Sequence, residues 1–177
     1  GTKLQNTYQN FIDNFSVEWD ILEGLKLKGA ISLNKKMTVG DSFLPAGHNS
    51  FFDKDLKGSY EKQVTDDFSY DANMLLAYLK EVNKHLFNAT FVWNIQEAKS
   101  DYFKTIAYNF PNDNMDHIGM GVEYKEGDKP IGNYEITRLM GVVGNFNYSY
   151  DNRYLLDLSI RSDGSSVYGS SKRWGTF

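Results

Sequence analysis

Three histidines, His48, His85 and His117, are the residues of this 177-residue chain best suited by type to hold a metal or move a proton. Their spacing serves neither purpose. No pair stands in the H-x-x-x-H arrangement that sets two imidazoles on one helical face, so polar loop and turn positions are expected. Asn112-Asp113-Asn114-Met115-Asp116 offers oxygen ligands in the manner of a calcium loop. No Gly follows at the sixth position and no distal Glu closes the set, so the stretch reads as a solvated loop. Asp66-Asp67 and the segment from Glu123 to Asp128 read as loop charge. A phosphate-binding Gly-Lys-Ser loop is absent, no Ser occupies a nucleophile elbow, and Gly119-Met120-Gly121 lacks the strand-to-helix context of a nucleotide turn. The sequence therefore assigns no catalytic residue, no metal ligand and no cofactor, and predicts a protein that is not an enzyme.

Aromatic rings are the remaining candidates. Phe43, Phe51, Phe52, Tyr60, Tyr102, Tyr108 and Phe110 fall in stretches that read as long, polar loops. Rings there can stack on the faces of sugars or peptides. They can equally pack the loops against one another. Phe51, Phe52, Tyr102 and Tyr108 are the candidate substrate-binding set.

The elements that would carry these loops are strands, read from the parity of apolar positions. From Gln9 to Ile21 the odd positions include Phe11, Phe15, Val17, Trp19 and Ile21, with Asn10, Asn14, Ser16, Glu18 and Asp20 between them. Leu25 to Leu33 alternates likewise. Phe68 to Tyr78 is apolar on even positions, Phe87 to Ile95 on odd ones, and Ile136 to Tyr150 on even ones. In Tyr154 to Ile160 one face is Tyr154, Leu156, Leu158 and Ile160, and the other carries Asp157, Ser159 and Arg161. Lys172-Arg173-Trp174 begins a seventh run.

The connections alternate between short and long. Ile21 opposite Leu25 leaves the three-residue turn Leu22-Glu23-Gly24, with Gly where a left-handed residue is needed. Tyr150 opposite Tyr154 leaves Asp151-Asn152-Arg153. Parity flips between Tyr78 and Phe87, which requires an even loop, and Glu81-Val82-Asn83-Lys84 fits. At the opposite ends, 38–67 and 99–134 are long, while 162–172 is moderate.

Composition narrows the class. The chain is mildly acidic, with 19 Lys+Arg against 23 Asp+Glu, which argues against a nucleic-acid track. It has no Cys, so neither a disulfide framework nor a thiolate site is available. No stretch approaches the roughly 18 apolar residues of a membrane helix. The mean hydropathy of −0.52 has a soluble look, but alternating membrane strands average out to such a value. Two architectures fit: a soluble all-β sandwich, for instance a glycan-binding module, or a membrane barrel. Sandwich strands run to about 5–6 residues, whereas these runs approach the roughly 9–11 that cross a bilayer at a tilt. Tyr78, Tyr148, Tyr150 and Tyr154, with Trp19, gather toward the short turns, where an interfacial aromatic girdle belongs. The reading is an antiparallel transmembrane β-barrel segment, apolar side to lipid and polar side to the lumen.

From Tyr150 to Phe177, "YDNRYLLDLSIRSDGSSVYGSSKRWGTF" resembles the barrel of SusC/RagA-type TonB-linked outer-membrane transporters. The hairpin at Asp151-Asn152-Arg153, the Arg161–Ser166 stretch and the run from Lys172 to Gly175 carry the likeness. The stretches 68–97 and "FPNDNMD" (Phe110 to Asp116) are similar to the family too. The resemblance implies a barrel of about 22 strands around a lumenal plug, in the outer membrane of a Gram-negative cell. It also implies a SusD-like surface lipoprotein as partner, energy from the TonB complex, and oligosaccharide or peptide cargo. Residues 1–177 are then expected to be about seven strands of a longer, multi-pass barrel, without the family's signal sequence, TonB-contacting region or glycine-rich plug. Seven strands of that number cannot close, and open edges are not tolerated in a bilayer.

Overall fold

The computed structural model describes residues 1–124, 126–167 and 174–176. Seven strands follow one another along the chain: β1 (Lys3–Leu22), β2 (Leu25–Leu44), β3 (Ser59–Val82), β4 (His85–Tyr108), β5 (Ile131–Tyr150), β6 (Tyr154–Ser165) and β7 (Trp174–Thr176). They form one antiparallel sheet in the order β1 to β7, each strand beside its sequence neighbour. Of the seventh run expected from sequence, Lys172 and Arg173 lie outside the described residues.

The strands are longer than their apolar alternation. β3 and β4 have 24 residues each, about twice the roughly 9–11 of a bilayer crossing. The long connections accordingly shrink to 45–58 and 109–130, and β6 continues through most of the expected Arg161–Ser166 loop. Tyr102 and Tyr108, expected in a loop, stand on β4. The physical reason is that backbone pairing needs no apolar face, so alternation marks only the part of a strand that meets an apolar medium.

Contacts divide the chain into two units. One gathers Ile12–Asn34, Ser69–Ala98 and Ile136–Phe177, which are the alternating runs with the short turns. Its β5–β6 register pairs Tyr150 with Tyr154, Tyr148 with Leu156 and Phe146 with Leu158 on one face, and Asn147 with Asp157 and Asn145 with Ser159 on the other. The three-residue turn is as the sequence predicts: the Arg153 N–H donates to the Tyr150 carbonyl at 3.0 Å, and Asp151 and Asn152 both take φ 52°. Asn and Asp tolerate that left-handed backbone better than other side chains. The β3–β4 turn keeps the required even parity with two residues, Asn83-Lys84, rather than four, and Asn83 takes φ 56°. Between β1 and β2, Lys26 pairs with Asp20 (3.5 Å) and Lys28 with Glu18 (2.9 Å). Those even positions share a face, which leaves Ile21 and Leu25 together on the other.

The polar face of this unit is tied from strand to strand. The Asn88 amide donates to Asn147 (3.3 Å), and Asn147 to Asp157 (2.7 Å). In the next row Asn145 donates to Thr90 (3.2 Å) and the Ser159 hydroxyl donates to Asn145 (2.8 Å). The opposite face is uncovered: Phe15 is 67 % exposed, Leu158 56 % and Ile160 61 %. A sandwich would cover these side chains with a second sheet, and the described strands form only one. Near the short turns this face is aromatic. Phe87 and Tyr148 rings lie 5.1 Å apart, His85 and Tyr150 rings 4.9 Å apart, and His85 Nδ1 is 2.7 Å from the Tyr148 hydroxyl.

The other unit comprises Gly1–Phe11, Lys35–Phe68 and Lys99–Glu135. Ion pairs and hydrogen bonds link its strands: Lys104–Glu61 at 2.8 Å, Lys62–Asp41 at 3.4 Å, Lys35 with Asp66, and the Ser100 hydroxyl donating to Asp67 at 2.6 Å. Its small core is Phe43, Tyr60, Ala107 and Phe110, with Ile118 packed against them.

Candidate functional site

The two long connections meet on that core. Phe110 stands edge-on to Phe43, ring centres 5.2 Å apart, and 6.3 Å from Tyr60. Backbone bonds fix the arrangement: the Phe110 N–H donates to the Lys57 carbonyl at 3.1 Å, and the Lys57 N–H to the Asn109 side chain. Gly58, at φ 73°, lies where a Cβ would stand 3.3 Å from the Leu44 carbonyl oxygen, so the closeness of the loops requires glycine. Tyr60 donates to Asp41 at 2.9 Å. Burial first, then the Asp41 hydrogen bond and nearby negative charge, push its hydroxyl up to about 12. For Phe43, Tyr60 and Phe110 the structure thus takes the second of the two sequence readings: these rings pack.

The four candidate binding aromatics separate into three situations. Phe51 closes a short 3-10 turn, Asn49–Phe51, and is buried, with Lys54 Nζ 6.0 Å from its ring centre. Phe52, its neighbour, is 80 % exposed. Tyr102 and Tyr108 are half-buried on β4, on the face that also carries Lys104 and Ile106. Period-two alternation puts Ala107, a core residue, on the opposite face.

Lys104 stands between the two tyrosines in sequence and is held by Glu61 at 2.8 Å. The Glu61 hydrogen bond leads the causes that raise its pKa, and the Tyr102 and Tyr108 charges act in the same sense. Beside it lies a cleft of about 310 Å³, lined by Lys104, Ile106, Tyr124, Asp128 and Ile131. Tyr124 is 59 % exposed. Sequence reasoning missed this ring because it sits in an acidic, glycine-bearing stretch without alternation, and only the backbone bridge between Glu123 and Tyr108 brings it beside the end of β4. The cleft combines an aromatic ring, an aliphatic floor and hydrogen-bonding charges, a set able to hold an amphipathic molecule by stacking and hydrogen bonds. It contains no nucleophile–base pair. Among the described residues no group of three His, Cys, Asp or Glu side chains is placed to hold a metal ion. His48 and His117 instead accept backbone N–H bonds from Ser50 (3.2 Å) and Gly119 (3.1 Å), as caps of the two 3-10 turns.

Comparison with known proteins agrees with this geometry. No family model matches the chain. It is 26 % identical over 173 residues to the TonB-dependent receptor P39 of Formosa agariphila, covering 93 % of this chain and 16 % of that receptor. Over 39 residues it is 49 % identical to the TonB-dependent receptor SusC of Bacteroides thetaiotaomicron, covering 22 % of this chain and 4 % of SusC. The chain therefore spans less than a fifth of the length of either relative. Among solved structures, the RagAB peptide transporter superimposes with a TM-score of 0.84 over 99 % of this chain and 19 % of that chain, at 20 % identity. The RagAB peptide importer in its open-open state gives 0.83, at 21 % identity. The seven strands match, in pattern and in fold, a segment of the barrel of SusC/RagA-type TonB-dependent receptors.

Proposed function

We propose that residues 1–177 form part of the barrel wall and outer loops of a TonB-dependent outer-membrane importer, non-enzymatic, crossing the membrane several times as β-strands. One observation carries this reading: a single sheet with an uncovered apolar face and a hydrogen-bonded polar face. Such a sheet is stable where lipid covers the first and a wet or plugged lumen meets the second. In the whole importer a SusD-like lipoprotein caps the outer end and the TonB complex supplies energy. Cargo is an oligosaccharide or a peptide, peptide being what RagAB carries. The cleft beside Lys104, with its tyrosine ring and charges, suits such cargo. Phe52 offers a second, outward ring for the lipoprotein or the cargo. Uptake by cells carrying the full-length receptor tests the proposal. Tyr124→Ala should reduce uptake several-fold at unchanged receptor level in the outer membrane. Unchanged uptake would remove the cleft from the cargo path, and recovery of the assembled receptor in the soluble fraction would overturn the membrane reading itself.

A further inference from the structure

Where charge first interrupts the uncovered face, it forms a cleft. On that face Ile95 on β4 and Met140 on β5 are the apolar positions next to the interruption. Glu97 and Arg138 follow as an ion pair, Glu97 buried and the Arg138 side chain 60 % exposed. In register, Met140 stands opposite Gly164, and Gly164 opposite Trp174. A Cβ on Gly164 would lie 3.0 Å from the indole carbons, so the absent side chain lets Trp174 lie flat against β6. Ile95, Met140 and Trp174 then bound the apolar part of a cavity of about 280 Å³, and Arg138 and Ser166 its polar part. Two backbone-level bonds hold that polar rim: Arg138 N–H to Ser166 Oγ at 2.8 Å, and Ser166 N–H to the Arg138 carbonyl at 2.9 Å.

We infer that this cleft seats a phosphorylated glycolipid of the outer leaflet, with an acyl chain against Met140 and Trp174 and the phosphate at Arg138. The inference rests on the membrane reading of the sheet. Continuity with the apolar face selects a lipid, because any occupant shares that face's solvent. Position along the strands selects the leaflet, since Ile95 and Met140 stand about ten residues along β4 and β5 from the short turns, roughly one tilted bilayer crossing away. Arg138 selects the phosphate. A guanidinium has five N–H donors in a planar fork and can serve a carboxylate and a phosphate together. Tryptophan at the edge of an apolar band matches the interfacial preference of its amphipathic ring.

The test uses the full-length receptor, purified and reconstituted in phosphatidylcholine vesicles containing bisphosphorylated lipid A or its dephosphorylated form. Lipid retained after detergent extraction is counted by native mass spectrometry, and heat-modifiable gel migration confirms assembly. Lipid A should be retained about fivefold more than the dephosphorylated form, the scale of one cation near a charged headgroup. Arg138→Gln should abolish that preference, Arg138→Lys should keep part of it, and Lys26→Gln on the polar face should leave it intact. Equal retention of the two lipids by the wild-type receptor, a measurement that needs no variant, overturns the inference. So does a preference that survives Arg138→Gln in an assembled barrel.

Discussion

Asp157 and Leu158 are neighbours on β6 that lie on opposite faces of the sheet. Asp157 accepts a hydrogen bond from Asn147 on the tied polar face, and Leu158 stands exposed opposite Phe146. An arginine in mid-bilayer costs about 2–4 kcal/mol. Leu158→Arg should therefore lower the amount of assembled receptor, while Asp157→Arg, on the wet side, should be tolerated better; outer-membrane levels of the two variants decide. Tyr60 supplies a pH dependence. Its folded value near 12 lies above the roughly 10 of a free phenol. Its contribution is thus whole below about pH 10 and is lost as pH rises toward 12. Cleavage of the long loops by an alkaline protease should accelerate across that window in the wild type. Tyr60→Phe has no hydroxyl to titrate and should show a flatter profile, and matching profiles would remove Tyr60 as the cause.

At the scale of elements, the turns and the two loops carry the specific demands. Gly24 takes φ 81° and its carbonyl accepts the Leu79 N–H at 2.7 Å, with a Cβ placed only 2.1 Å from the Leu79 oxygen. Gly24→Ala should disturb the β1–β2 turn and its bond to β3, read as faster amide exchange at Leu79 against an unchanged β5–β6 hairpin. Phe110→Ala empties the small core between the loops, a loss of about 3 kcal/mol or more for a buried phenylalanine. Both connections, 45–58 and 109–130, should then become protease-sensitive together, since Phe110 serves both. Cleavage of one alone would show that they are independent. This interlock was not legible in the sequence. Parity located the apolar faces of six strands and the parity of the turns, because alternation is imposed by what each side of a sheet meets. It stopped at Phe68 and Ile95, where the strands continue on backbone pairing and ion pairs such as Lys104–Glu61. Tyr102 and Tyr108 were therefore singled out by type but placed on the wrong kind of element, and Tyr124 was passed over.

For the whole molecule, the asymmetry of short turns and long connections fixes an orientation to be tested. With no native Cys in the chain, single cysteines at 113 and 152 can be labelled on intact cells with an impermeant reagent. Label at 113 and none at 152 is expected, and the reverse would invert the topology. Removing both 45–58 and 109–130 from the full-length receptor should weaken cargo uptake or co-purification of the lipoprotein while the barrel still assembles. Normal values for both would leave the outer connections without a role in either. The side-chain rows Asn88–Asn147–Asp157 and Thr90–Asn145–Ser159 have a mechanical consequence as well. Backbone pairing alone is nearly indifferent to where along its neighbour a strand sits, so a wall of plain ladders can creep when something inside it is pulled. Here a slip of one residue would turn Leu156 and Leu158 inward. A slip of two would keep the faces but carry Asp157 from Asn147 to Asn145 and set Ser159 against Val143. The rows therefore act as detents, giving the sheet one resting position and a restoring force toward it under load.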